Sequence, residues 1–102
     1  MTQIAIKPGA VYTFKLNSGE ELIAKVAQSG GDFIVVEEPV SIAPTQKGMQ
    51  FIPSMFTAEP KAETRLNTNS ISLYCETEDS IKMKYIEMTT GIQVPDKKII
   101  LG

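Results

Sequence analysis

The stretch that decides the fold is residues 11–40, which read VYTFKLNSGEELIAKVAQSGGDFIVVEEPV. Apolar and polar side chains alternate with a period of two over residues 11–16, and the alternation returns at Leu22, Ala24 and Val26. This period is typical of a β-strand that is buried on one face and exposed on the other. The two segments are therefore predicted to be the first two strands of an antiparallel sheet.

Two glycine-containing turns divide this stretch into three strands. They are Asn17-Ser18-Gly19 and Gly30-Gly31-Asp32, and both have the composition of tight turns. The second turn leads into the β-branched run Phe33-Ile34-Val35-Val36, which is predicted to end at Glu37-Glu38-Pro39. We therefore predict a strongly bent antiparallel meander of the kind that builds small barrels.

The composition is that of one ordinary folded domain. The chain has 102 residues, of which 42% are hydrophobic, with seven Gly and six Pro. This predicts a single domain over residues 1–102 with many turns. The formal net charge is −2, so there is no general positive field to attract nucleic acid. Any nucleic-acid site must depend on a local group of side chains.

The single cysteine, Cys75, has no disulfide partner within the chain. It lies in the alternating run at residues 71–76, so we expect a reduced thiol packed as a small apolar side chain. No segment approaches the roughly 18 consecutive apolar residues of a membrane span, and residues 1–9 lack the pattern of a secretory signal. These features predict a cytoplasmic protein with no membrane partner.

Histidine is absent from the sequence. Its absence excludes histidine acid/base catalysis and Ser-His or Cys-His nucleophile pairs, and Cys75 alone is not enough to hold zinc. No phosphate-binding glycine loop is present, because Gly30-Gly31 joins two strands instead of leading into a helix. We therefore expect neither an enzyme nor a bound metal or cofactor.

The second half of the chain predicts two more strands. Residues 49–57 alternate again, and Pro53 within them favours an edge position or a bulge. The polar residues 58–70 predict a loop or the tip of a hairpin. Residues 71–76 alternate cleanly and predict the fifth strand. An apolar edge strand requires a pairing partner, so this half of the chain suggests assembly.

One helix is predicted over about residues 78–90. Thr77 or Asp79 would cap its first turn, and Gly91 would end it in the left-handed conformation. Three apolar residues fall on one stripe of this helix, namely Ile81, Tyr85 and Met88. A short helix needs a surface to lie on, so this stripe is expected to pack over an open end or side of the barrel.

The meander resembles the first motif of the Sm-like family, which includes the Sm, LSm and bacterial Hfq proteins. Five residues match the start of that motif and its apolar positions, namely Leu16, Asn17, Gly19, Leu22 and Val26. Gly31-Asp32-Phe33 places the motif's aromatic residue, and Thr68-Asn69-Ser70 stands where the second motif precedes the last strand. Three positions differ from the usual Gly, Asp and Asn of the family, namely Ala24, Gly31 and Val35.

The resemblance implies a mainly β fold. This would be a small five-stranded, strongly bent antiparallel Sm-like (SH3-like) barrel at about residues 10–76, with a C-terminal helix at about residues 78–90. A partly ordered tail would follow at residues 92–102. The long loop before the fifth strand and the helix after it are most similar to divergent Sm-like proteins of marine metagenomes and cyanophages.

The resemblance also implies a non-catalytic RNA-binding protein that forms a homo-oligomeric ring of about five to seven subunits and acts in RNA metabolism or regulation. Carried over residue by residue, Phe33 would stack on a base, Asp32 would be its loop neighbour, and Thr68 and Asn69 would read base edges. The fourth strand of one subunit would pair with the fifth of the next. The interface would use Phe51, Ile52, Met55, Ile71, Leu73 and Tyr74. A phage-encoded protein of this kind would act in the cytoplasm of a bacterial host.

The residues alone leave a second interpretation open. Phe33 also fits a core position, Asn69 is a common turn residue, and Arg65 fits an ordinary surface charge. The alternative function is a small-barrel protein-interaction module, or a phage structural or adaptor component, whose apolar edge binds protein instead of RNA. Molecular mass in solution and binding of single-stranded RNA distinguish the two hypotheses.

Overall fold

The fold consists of an antiparallel sheet and one helix that follows the last strand. The computed structural model describes residues 6–59 and 61–91. Within them the elements are β1 (Val11–Leu16), β2 (Glu21–Gly30), β3 (Phe33–Thr45), β4 (Gly48–Pro53), β5 (Glu63–Asn67), a 3₁₀ turn (Thr68–Ser70), β6 (Ile71–Glu76) and α1 (Asp79–Thr90). The predicted mainly β class with one helix after the last strand is confirmed.

Within residues 6–59 and 61–91, the sheet has six strands and is open. Its strands lie in the order β4-β3-β2-β1-β6, and β5 also pairs with β3. The first half of β3 pairs with β5, from Phe33 opposite Asn67 to Glu37 opposite Glu63, and its second half pairs with β4. Among the described residues, β6 therefore forms one edge, and β4 and β5 share the other. A closed barrel within one chain is not present in this part of the molecule.

The two predicted glycine turns are confirmed. Gly19 has a φ of 97° and Gly31 a φ of 55°, which is a region that residues with a Cβ rarely adopt. A Cβ added at Gly31 would meet nothing within 4 Å. The requirement for glycine at this turn is therefore conformational and does not come from crowding.

Strand β3 continues through the three residues that were predicted to end it. Glu38 has a φ of 50°, and the register between β2 and β3 shifts between Ile23 and Lys25. Such an irregularity leaves backbone groups without their regular ladder partners. Helix α1 supplies further hydrogen bonds to this irregular region.

Those hydrogen bonds come from the phenol of Tyr85 in α1. Its oxygen accepts from the backbone N–H of Lys25 at 3.1 Å, and its proton lies within reach of the carbonyl oxygens of Glu37 at 3.0 Å and Glu38 at 2.9 Å. Burial raises the pKa of Tyr85 to about 12, against an opposing effect of the bond from Lys25. Tyr85 therefore joins the helix to the irregular part of the sheet.

Apolar clusters lie on opposite faces of the sheet, because successive residues of a strand point to opposite sides. The first cluster contains Ile6, Tyr12, Phe14, Leu22, Ala24, Val26, Ile34 and Val36. The second contains Val11, Ile23, Val40 and Tyr85, with Ile42, Phe51, Ile81 and Ile86 packed against it. Helix α1 thus covers the second face. The predicted packing stripe is confirmed for Ile81 and Tyr85, but Met88 is half-exposed.

The predicted fourth strand and the loop after it need correction. β4 ends at Pro53, and β5 with the 3₁₀ turn occupies part of the predicted loop at residues 58–70. Pro39 and Pro53 both lack an N–H group, so the ladder on this side of β3 is interrupted beside the kink at Glu38. The edge is divided into two strands, which makes six strands instead of five.

The prediction of a packed Cys75 is wrong. The thiol is exposed, because β6 is an edge strand and only its first residue, Ile71, is half-buried. Leu73 on the same strand is 66% exposed. Alternation in the sequence showed which residues share a face of β6, but not that this face is left uncovered.

The start of α1 also differs from the prediction. Its N-cap is Glu78, whose carboxylate accepts a hydrogen bond from the Ile81 N–H at 3.2 Å. Bonds from Ser80 and from Ile81 lower the pKa of Glu78. Thr77 is instead buried, and its hydroxyl lies 2.9 Å from that of Thr13. The end of the helix at Gly91, with a φ of 75°, is as predicted, and the tail at residues 92–102 lies outside the described residues.

Candidate nucleic-acid interface

Two turns that are far apart in the sequence meet at one end of the sheet. Thr68 joins the two turns by hydrogen bonds. Its backbone N–H donates to the carbonyl oxygen of Asp32 at 3.0 Å. Its hydroxyl group can donate to the carbonyl oxygen of Asp32, at 3.0 Å, or to that of Gly31, at 3.3 Å. The pairing of Phe33 with Asn67, the last pair between β3 and β5, brings the turns together. We call Asp32, Phe33, Arg65, Thr68 and Asn69 the turn cluster.

Phe33 presents an aromatic surface to solvent in this cluster. Its side chain is 42% exposed, although it begins a strand whose next three residues are buried. The Cζ atom of Arg65 lies 5.2 Å from the centre of the Phe33 ring. A guanidinium at this distance from an aromatic face makes a cation–π interaction. The core position that the sequence left open for Phe33 is not what the structure shows.

Arg65 is the member of the cluster that the sequence did not identify. It pairs with Val35 in the ladder, two positions from the pair of Phe33 and Asn67. Residues at such diagonal positions on neighbouring strands are within reach of long side chains. Arg65 was not identified because strand β5 was not predicted. A residue in a predicted loop has no predicted cross-strand neighbour, so its position beside Phe33 did not follow from the sequence.

Hydrogen bonds that involve the side chains of Asn17, Asn67 and Ser72 hold the 3₁₀ turn in place. The amide group of Asn17 donates to the Asn69 carbonyl at 2.8 Å, and the Asn69 N–H donates to the side-chain oxygen of Asn67 at 2.8 Å. Ser72 donates from its hydroxyl to Asn17. Both bonds of Asn69 use its backbone atoms, and the residue is exposed. The β1–β2 turn therefore helps to fix the position of Asn69 through the bond from Asn17.

The structure places all four residues predicted to bind RNA at one end of the sheet, but in different environments. Phe33, Asp32 and Asn69 are exposed, whereas Thr68 is half-buried. The hydroxyl proton of Thr68 is used within the cluster, so this group is left only its acceptor function toward a ligand. The main role of Thr68 in this structure is therefore to position the two turns.

The six residues predicted for a subunit interface do not share one environment. Met55, Leu73 and Tyr74 are exposed. Phe51 packs against the second apolar cluster and Ile71 against the first, while Ile52 is half-buried on β4. Leu73 and Tyr74 lie on the edge strand β6, and Met55 lies two residues after the end of β4, which is at the other edge of the sheet.

The described part of the chain offers neither a metal-binding group of side chains nor a membrane-spanning helix. Within residues 6–59 and 61–91, no three His, Cys, Asp or Glu side chains are grouped so that they could hold a metal ion. None of the helical structure described here is long and apolar enough to cross a membrane.

Comparison of the chain with protein-family models and with curated proteins gives no match.

Proposed function

We propose that this chain is a non-catalytic RNA-binding protein that assembles into a homo-oligomeric Sm-like ring and acts in RNA metabolism or regulation. The observation that carries the proposal is the turn cluster, where an exposed aromatic ring, a guanidinium and polar turn residues meet. Unpaired bases stack on aromatic rings and on guanidinium planes, and polar groups read their edges. Single-stranded RNA is the ligand that uses all of these groups.

Arg65 has a defined role in this proposal. Its Cζ lies 5.2 Å from the Phe33 ring centre, a separation that leaves no room for a base between them. A base that stacks on this face of Phe33 therefore displaces the guanidinium, which then pairs with an RNA phosphate. Arg65 protects the aromatic surface in the free protein and contributes charge in the complex.

The two edges of the sheet support the proposed ring assembly. Among residues 6–59 and 61–91, β6 lies at one edge and β4 and β5 at the other, and edge strands can pair with a strand of another subunit. Pairing of β6 of one subunit with the divided edge of the next is a head-to-tail contact, which closes into a ring when the rotation permits. Leu73 and Tyr74 of β6 would then be covered by the neighbouring subunit.

The ring explains how a chain with a net charge of −2 binds a polyanion. One stacked base contributes about 1–3 kcal/mol, which is weak binding for a single subunit. A ring presents the same cluster once per subunit, and each further base binds at a high effective concentration. Affinity then comes from repetition of the site and only partly from phosphate contacts.

A fluorescence-anisotropy titration with short U-rich and A-rich RNAs tests this function. Phe33→Ala is expected to weaken binding at least tenfold, because each subunit loses its stacking surface. Phe56→Ala is the matched control, since Phe56 is another exposed phenylalanine, 80% exposed and outside the turn cluster. Binding should also weaken as salt increases, because Arg65 contacts phosphate. Equal affinity of the Phe33 and Phe56 variants, or no binding at low salt, would contradict the proposed site.

The alternative of a protein-interaction module is favoured by one observation. Leu73 and Cys75 are exposed on an edge strand, and such strands accept a strand of another protein. In that case the purified chain would be a monomer with no affinity for single-stranded RNA. The same titration, combined with a measurement of mass, separates the two functions.

A further inference from the structure

An apolar cleft of about 270 Å³ opens between β4, the segment that follows it and the end of α1. It lies outside the turn cluster. Phe51 and Ile52 line it from β4, Met55 and Phe56 from the segment after β4, and Met88 and Thr89 from α1. The cleft exists because β4 ends at Pro53 and the chain leaves the sheet before it returns as β5.

Three apolar side chains around this cleft are poorly covered. Phe56 is 80% exposed, and Met55 and Met88 are each 48% exposed. Grouped apolar side chains that surround a concave surface mark a binding site more often than isolated ones do. The cleft therefore fits an apolar segment of polypeptide.

The charge at the cleft is acidic. Glu38 and Glu59 both line it, and Lys61 pairs with Glu38 at 3.2 Å. Glu59 has no ion pair among residues 6–59 and 61–91. An occupant that combines apolar side chains with a positive charge would complement both features of the surface.

This chain contains such a segment immediately after the helix. Residues 92–102 read IQVPDKKIILG, with the lysine pair Lys97-Lys98 directly before the apolar triplet at residues 99–101. The segment begins after Gly91, which is itself two residues beyond Thr89 in the cleft wall. The stretch between Gly91 and the triplet can span up to about 25 Å when extended. The triplet therefore has enough chain to reach the cleft.

We propose that residues 92–102 bind in the apolar cleft of the same chain, with the triplet 99–101 against Phe56 and Met88 and the lysine pair near Glu59. Binding within one chain loses little translational freedom, so even a modest apolar contact is occupied. The proposal does not depend on RNA binding, and its failure would leave the turn cluster and the ring unaffected.

A tryptophan reporter tests the proposal, because the sequence contains no Trp. Phe56→Trp places one indole in the cleft wall. In the full chain we expect emission at a short wavelength and weak quenching by acrylamide. Ending the chain at Gly91 should shift the emission to longer wavelength and raise the quenching constant at least twofold. A synthetic peptide of residues 92–102, added to the shortened protein, should reverse both changes.

Two controls keep the result interpretable. Ile99→Asp with Ile100→Asp in the full chain should reproduce the spectrum of the shortened protein without any deletion, while circular dichroism shows that the fold is kept. Met49→Trp places the indole at a residue that is 55% exposed and does not line the cleft, and its emission should not respond to the deletion. Identical emission of the Phe56→Trp variant with and without residues 92–102 would overturn the proposal. A response to the deletion that appears only at protein concentrations where the chain is assembled would also overturn it, because the segment would then come from a second copy.

Discussion

At the scale of single residues, the Tyr85 hydroxyl shows how the helix and the sheet depend on each other. The sequence correctly predicted Tyr85 as a packing residue, since it shares a helical stripe with Ile81. Its three hydrogen-bond partners belong to the kink in β2 and β3. That kink follows from the positive φ of Glu38, which no periodicity in the sequence indicates. The packing role was therefore predictable, whereas the hydrogen-bonding role was not.

Tyr85→Phe is expected to lower the free energy of unfolding by about 1–3 kcal/mol, because it keeps the ring but leaves partly buried backbone groups unsatisfied. Urea denaturation followed by circular dichroism measures the loss. Tyr12→Phe is the control, since within residues 6–59 and 61–91 the Tyr12 hydroxyl accepts one long bond, 3.3 Å from the Lys7 nitrogen. A loss no larger than that of the Tyr12 variant would contradict the bridging role.

The raised pKa of Tyr85, about 12, predicts a loss of stability in alkaline solution. Between pH 10 and pH 12 the unfolded chain releases the phenol proton while the folded chain still holds it, so stability falls as pH rises. The contribution is fully present below pH 10, the ordinary pKa. Denaturation across this interval should show a steeper decline for the wild-type chain than for Tyr85→Phe. Parallel curves would show that Tyr85 is not protected by burial.

Arg65 and Phe33 show the limit of reading one residue at a time. The sequence resemblance selected Phe33 because an aromatic residue follows the glycine turn. Arg65 was treated as ordinary surface charge because it stood in a predicted loop. Its position over the Phe33 ring depends on the pairing of β5 with β3, which joins residues about thirty positions apart.

At the scale of elements, the predictable parts are those whose cause is local. The first two strands, the start of the third, the glycine turns between them and the end of α1 follow from short patterns of residues. β5 was missed because its sequence, ETRLN, is mostly polar. Its pairing with the first half of β3 is what makes it a strand. β4 was predicted too long, since the effect of Pro53 depends on Pro39 and the kink across the sheet.

Edge strand β6 carries a direct prediction about assembly. Leu73→Lys should reduce the mass of the assembly to that of smaller species, because a charge would be buried between subunits. Leu73 is 66% exposed in the single chain, so the substitution should leave the fold intact. Light scattering coupled to size-exclusion chromatography measures the mass.

Gln28→Lys is the matched control for this experiment. It adds the same side chain at an exposed position of β2, opposite Val35 of β3 and away from both β6 and the edge formed by β4 and β5. We expect the Gln28 variant to assemble as the wild-type chain does. Unchanged mass in the Leu73 variant would show that subunits do not meet through this face of β6.

At the scale of the whole molecule, the sheet carries both the turn cluster and the strand edges through which subunits are proposed to assemble. The turn cluster lies at one end of the strands, and within the described part of the chain β6 and the pair β4 and β5 form the edges of the sheet. The sequence predicted the mainly β class and the residues of the cluster other than Arg65, because motifs and alternation report them. It did not predict the division of one edge or the cleft beside it, since both arise from contacts between distant segments.

Native mass spectrometry of the purified chain, mixed with a short U-rich RNA at low salt, tests ring assembly and RNA binding in one experiment. The proposal of an RNA-binding ring predicts a complex whose mass equals a whole number of 11.2 kDa chains plus bound RNA. The number of chains should be about five to seven, as in a closed ring. A single chain of 11.2 kDa with no RNA bound would contradict both the ring and its function.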